Sequence, residues 1–237
     1  MWLAIDLIII VIGFSFAIIY PFISMEPADT GKVADTDIIT VKNGRNAVYF
    51  LNTADGIIAI DAGANLTSLE KSLIPLPINP MDVRHIFITH GDSDHIAGLS
   101  LFPNAQLYIG EDEIQMLNGT TKRSSFLGNN TLPDGYKIEQ FTTLSDKQEL
   151  MIGNVSIYSI KSPGHTPGSM TFLVNQNYLF TGDAIRIDDN KILIHPLSMS
   201  KARSKETIFY LKNYMNDCKY ILTAHYGYCL TENLQIK

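Results

Sequence analysis

The chain has 237 residues, 46% of them apolar, and a net charge of −6. That length and apolar content suit one large domain with a sizeable core, and the acidic balance, with no long basic run, argues against a nucleic-acid partner. Cys218 and Cys229 are the two cysteines; they form neither a disulfide framework nor a zinc-finger spacing. Cys218 reads as a packing residue, and Cys229, close to His225, as packing or a neighbour of the chemistry.

Leu7 to Ile23 carries no charged side chain, and its length lies at the short end of the roughly 17 to 25 residues that span a bilayer. Asp6 is the only charge before it, and no Ala-x-Ala cleavage pattern follows. Residues 1–24 are therefore expected to form an uncleaved single-span membrane anchor, with a cleaved signal or a buried core helix as alternatives. Near the run, Lys32 stands among Glu26, Asp29, Asp35 and Asp37, which points to a domain outside the cytoplasm. Residues 25–37 read as a polar linker, and 38–237 as the folded domain.

Three short strands are predicted at Ile38–Val41, Ala47–Leu51 and Ile57–Ile60, punctuated by the hairpin signals Asn43-Gly44 and Asp55-Gly56. A helix over Leu66–Ile74 follows, closed by Pro75. Asp61, at the end of the third strand, is either a turn residue or a carboxylate standing behind a metal site. The next strand, Ile86–Ile88, leads into Thr89-His90-Gly91-Asp92-Ser93-Asp94-His95. Further on come a strand at Gln106–Ile109, a short helix over Glu111–Leu117, and a long polar stretch from Asn118 to Gly135. Loops beyond roughly 12 to 15 residues are usually functional or disordered, so this one is expected to be a lid or substrate wall. Strands are predicted again at Tyr136–Ile138, Glu149–Ile152 and Val155–Ile160. Then come Pro163-Gly164-His165-Thr166-Pro167-Gly168-Ser169, a hairpin of Met170–Val174 with Tyr178–Thr181, and Gly182-Asp183. A helix over Lys201–Met215 precedes a last strand, Tyr220–Thr223, and Ala224-His225. Strands in two clusters, each followed by helices, predict two packed sheets with helices outside.

His90, Asp92, Asp94, His95, His165, Asp183 and His225 all fall just beyond a predicted strand end. Adjacent strands lie about 5 Å apart, so such side chains can converge. Imidazole and carboxylate donors suit zinc, iron or manganese, and seven groups are enough for two sites with a shared carboxylate. His85 reads as a surface residue and His195 as a loop residue, with contact to substrate as its alternative. Tyr226 and Tyr228 flank His225 and read as packing, and Lys201, Arg203 and Lys205 as a solvated helix end.

Taken together, these motifs resemble the metallo-β-lactamase-fold superfamily, from about residue 36 onward, and most closely its glyoxalase II-like hydrolases. The resemblance implies an α+β, αβ/βα four-layer sandwich. It also implies two divalent ions, zinc first, with iron or manganese possible. His90, Asp92 and His165 would hold one ion, Asp94, His95 and His225 the other, and Asp183 would bridge them. Asp92 stands where the family pattern has a second His, as in diiron oxygen and nitric-oxide reductases; with it, the first site is either altered or empty. The function implied is a membrane-anchored hydrolase of small-molecule esters, thioesters, lactones or phosphodiesters. It would use a metal-bound hydroxide oriented by Asp94, the catalytic residue. The alternatives are a diiron redox protein and a non-catalytic metal-binding module of a membrane complex.

Overall fold

The computed structural model describes residues 23–123 and 132–235. Two sheets form the body of the domain. In chain order the first contains β1 (Gly31–Lys32), β2 (Ile39–Asn43), β3 (Asn46–Thr53), β4 (Gly56–Ile60), β5 (Val83–Ile88), β6 (Gln106–Gly110) and β7 (Phe141–Leu144), which also lie side by side in that order. β1 to β4 are antiparallel hairpin neighbours, whereas β4 to β7 run parallel. The second sheet has β8 (Glu149–Ile152), β9 (Val155–Lys161), β10 (Met170–Val174), β11 (Tyr178–Gly182), β14 (Tyr220–Thr223) and β15 (Tyr228–Leu230), with β11 and β14 parallel. A separate hairpin, β12 (Arg186–Asp188) with β13 (Lys191–Leu193), lies between them in sequence.

The period-two alternation of each strand explains the layering. One face of the first sheet, including Val41, Val48, Ile86 and Ile88, packs under Leu69 and Leu73 of helix α1 (Leu66–Leu73). Its opposite face, with Tyr49, Ile58, Ile60 and Phe87, meets Ile157, Phe172, Phe180 and Leu222 of the second sheet. The outer face of that sheet, with Ile160, Leu179 and Ile221, is covered by Leu211 and Met215 of a long helix, Lys201–Met215. Helix, sheet, sheet, helix is the sandwich expected from the sequence. Both helices start on a side-chain cap: Asn65 accepts from Ser68 N at 2.8 Å and Ser200 from Arg203 N at 3.3 Å.

Phe87 sits at the centre of the inter-sheet layer. It is fully buried, stacked on Tyr108 at 4.5 Å between centroids and edge-on to Phe172 at 5.4 Å. Phe87→Ala should lower stability by about 3–5 kcal/mol through lost burial and the cavity left behind, measured as a shift in the urea midpoint at unchanged slope.

Several elements differ from expectation. The segment 25–37, expected as a linker, carries β1, which pairs with β2, and buries Val33 completely. Lys219 and Tyr220 further tie it down through Asp35, at 2.8 and 2.6 Å. The strand expected at Tyr136–Ile138 falls later, at Phe141–Leu144. Gln140 Oε1 accepts from Lys137 N at 2.6 Å and closes a 3₁₀ turn over Ile138–Gln140 first. The helix expected over Glu111–Leu117 is a 3₁₀ turn over Glu111–Glu113 followed by one α turn, Ile114–Leu117. The β12–β13 hairpin was missed although Asp189 and Asn190, both at positive φ, are its turn. The apolar run Leu7–Ile23 lies outside the described residues except for Ile23. Among those described, no helix is long and apolar enough to cross a membrane.

Candidate metal centre

The parallel pairs determine which chain turns become neighbours. β4 lies beside β5, so Asp61 stands next to Thr89; β11 lies beside β14, so Asp183 stands near His225. The two sheets meet at this end, where Met170 N donates to Thr89 O at 2.8 Å and Tyr49 Oη to Thr223 O at 2.7 Å. Gly182, at φ +50°, allows that approach: a Cβ there would lie 2.5 Å from Thr89 Oγ1.

Asp61 holds the motif after β5 in place. Its carboxylate accepts from Thr89 N at 2.7 Å, Thr89 Oγ1 at 2.9 Å and His95 Nδ1 at 2.8 Å. The geometry answers to both of its sequence readings: Asp61 turns the chain at the end of β4, at φ +62°, and stands behind His95. Because Thr89 Oγ1 gives its proton to Asp61, it accepts from His90 Nδ1 at 3.1 Å. His225 Nδ1 likewise donates to the Arg45 carbonyl. In all three rings the Nδ1 proton is committed outward, so each Nε2 presents its lone pair to the cavity, the tautomer a metal ligand requires. The Nε2 atoms of His90 and His95 and Oδ1 of Asp183 are buried and have no hydrogen-bond partner. Buried polar atoms of that kind call for an explanation, and a metal ion supplies one.

Asp183 lies at the centre. Its Oδ2 is 3.2 Å from both His165 Nε2 and His225 Nε2 and 3.9 Å from His90 Nε2, and its Oδ1 is 3.8 Å from His95 Nε2. Asp94 Oδ2 stands 3.4 Å from His225 Nε2, and Asp94 Oδ1 is 3.9 Å from His95 Nε2. Asp92 Oδ2 stands 3.3 Å from His90 Nε2 and 3.1 Å from His165 Nε2. All seven residues predicted from the sequence therefore come together. The donor atoms of His90, His165 and Asp183 lie within 4.8 Å of one another, as do those of Asp94, His95 and His225. Burial opposes a charge on His95, but Asp61, Asp94 and Asp183 outweigh it and raise its pKa to about 10. The carboxylates that favour a proton on Nε2 also favour a metal dication there, which would take that proton's place.

Two further groups stand at the centre beside the expected ligands. His195, expected as a loop residue, is buried with its Nε2 3.6 Å from Asp183 Oδ2. Leu197 N donates to its Nδ1 at 3.3 Å, which leaves the ring proton on Nε2, opposite to the other three rings. Burial pulls its pKa down to about 3, so it faces the cavity as a neutral N–H donor. The second is Arg123, whose guanidinium pairs with Asp92. His195 follows β13 by two residues, and Arg123 is brought in by packing around Leu197.

Behind the centre, buried Glu113 joins two ligand-bearing turns. It accepts from Gly91 N at 2.8 Å, Gly168 N at 3.0 Å and Thr166 Oγ1 at 2.7 Å. In front lies a cavity of about 240 Å³, lined in part by Met25, Arg45, Ser93 and Leu197. Away from it, His85 is half-buried against Tyr108, Tyr228 Oη accepts from Ala34 N, and Arg203 pairs with Glu206 in solvent.

The fold and the centre define a class: the model of the metallo-beta-lactamase superfamily matches residues 42–209, and the chain belongs to that superfamily. Among its relatives is glyoxylase B2 of Dictyostelium discoideum, 27% identical over 51% of this chain and 41% of that protein. Another is a probable polyketide biosynthesis zinc-dependent hydrolase, PksB, of Bacillus subtilis, 25% identical over 54% of this chain and 49% of that one. The matches thus span about half the length of these relatives. Among solved structures, the subclass B3 metallo-beta-lactamase BJP-1 of Bradyrhizobium japonicum superposes with a TM-score of 0.66 at 19% identity, covering 85% of this chain and 79% of that one.

Proposed function

We propose that the chain is a metal-dependent hydrolase of small esters, thioesters, lactones or phosphodiesters. The observation that carries this reading is the common tautomer of His90, His95 and His225, whose Nε2 lone pairs converge with Asp94 and Asp183 on one cavity. The residues fit divalent metal, zinc before iron or manganese, in donor type and in their unpartnered buried atoms. His95, Asp94 and His225 would hold one ion with Asp183, and His90 and His165 face a second position. When bound, such ions supply Lewis acidity and a water that ionises near neutral pH.

The chain's own groups do the rest. Asp94, whose side chain is 40% exposed to the cavity mouth, can align the attacking water and take its proton. His195 Nε2–H, held neutral, can donate to the oxygen on which negative charge develops. Neither role needs a serine or cysteine nucleophile. The apolar run from Leu7 to Ile23 would hold the domain at a membrane, facing away from the cytoplasm, as the acidic residues after it suggest.

The test is a screen of the zinc-loaded protein against thioesters, lactones and phosphodiesters. At least one class should turn over, activity should vanish on chelation, and zinc should restore it. No turnover of any class by protein that retains its zinc would remove the hydrolase reading.

A further inference from the structure

Arg123 is a cation that a two-metal centre does not need. Only 6% of it is exposed. Its Nε donates to Asp92 Oδ1 at 3.1 Å and its Nη2 to Asp92 Oδ2, a two-point carboxylate pair. Its Nη1 donates to Leu197 O at 2.6 Å, and Nη2 also meets His165 Nε2. Asp92 Oδ2 and His165 Nε2 are two donor atoms that the position facing His90 would offer a metal, and one guanidinium nitrogen stands against both.

We propose that the protein holds a single divalent ion, on Asp94, His95 and His225 with Asp183, and that Arg123 is the built-in cation of the other position, closing it to metal. The proposal rests on the hydrolase reading above and deepens it. A guanidinium cannot be deprotonated in a protein, so its charge is permanent. With neutral imidazoles, the carboxylates of Asp92, Asp94 and Asp183 are balanced by Arg123 and one divalent ion. Even with the Asp61 carboxylate behind His95 counted, a second divalent ion would leave a surplus of about one positive charge in a buried site, and uncompensated buried charge is expensive. His165 fits this arrangement: its Nε2 faces the Arg123 Nη2 donor, so it meets the guanidinium as a neutral acceptor. Asp92 is then a counter-ion to Arg123, which accounts for a carboxylate where the family pattern has a histidine.

The experiment counts metal by mass spectrometry in the full chain, purified in detergent, saturated with zinc and desalted. Wild type should retain about one equivalent, and Arg123→Met, of similar length but uncharged, about two, since the freed donors complete a second site. His90→Ala should keep the single wild-type ion, and His225→Ala should lose it. Two equivalents in wild type, or one in an Arg123→Met protein that melts cooperatively, would overturn the proposal. If Arg123→Met does not fold, the histidine pair still decides, because loss of the ion from His90→Ala contradicts the assignment. No metal in any of the proteins would bring down the hydrolase reading with it, a result distinct from a count of two.

Discussion

Asp183→Ala should cost the protein both its metal and its turnover. Asp183 reaches imidazoles carried by both sheets and stands between the two pairs: His90 and His95 after β5, and His165 and His225 from the second sheet. Burial opposes its charge, yet the surrounding histidines, His225 first, hold its pKa well below the usual carboxylate range. Removing it leaves a crowd of imidazoles with less counter-charge and takes a donor from the metal. Hydrolysis should fall by about 10³-fold or more, and zinc retained after desalting should drop below half of wild type. Asp183→Asn separates charge from shape. It should melt near metal-free wild type while losing metal almost as fully as the Ala variant, whereas equal metal retention in Asn and wild type would show that the charge is not what holds the ion.

Glu113→Ala should give the largest loss of stability of any polar substitution near the site. Its carboxylate serves Gly91 N, Gly168 N and Thr166 Oγ1 where no water reaches. A buried donor left unpaired costs about 1–3 kcal/mol, so three of them sum to about 3–9 kcal/mol. Glu113→Gln keeps one acceptor and turns an amide N–H₂ towards a donor, so it should lose about half as much. Urea unfolding followed by circular dichroism measures both. Burial pushes the Glu113 pKa up, so the folded chain binds this proton more tightly than the unfolded one. Its contribution is therefore greatest below the unfolded pKa and is lost as pH rises through the folded pKa. That part of the pH profile should be missing from both variants. A Glu113→Ala protein as stable as wild type would mean that the two turns are held by other contacts.

Much of the centre was legible because its residues are set locally. Each of His90, Asp94, His95, Asp183 and His225 follows a short β-branched or aromatic run, and the run fixes where the strand stops and the side chain emerges. Asp61 was ambiguous for a physical reason. A carboxylate at a strand end serves a turn and a histidine equally well until the partner strand is known, and the 2.8 Å contact with His95 belongs to the pairing of β4 with β5. His195 also follows such a run, Ile192-Leu193-Ile194, but the hairpin that carries it went unrecognised, and Arg123 had no local mark. The backbone of Leu197 donates to His195, two residues before it, and accepts from Arg123; the second contact is made by packing distant parts of the chain. The segment 25–37 misled because its charges suggest a tether, although Val33 and the Asp35 contacts bind it to the second sheet.

The ion-facing groups are shared between the two sheets, and this has a consequence for the life of the molecule. His95 and His225 lie far apart in sequence and come from opposite halves, so an ion gripping both acts as a clasp across the join. A ligand that binds only the closed form adds RT ln(1 + [L]/Kd) to its stability, about 2.7 kcal/mol at a hundredfold excess over Kd. Resistance to unfolding would then track the zinc supply. A newly made copy in a metal-poor compartment would open more often along the seam at Thr89 and Met170, and proteases would remove it sooner. Scarcity would be read out as abundance, with no dedicated sensor.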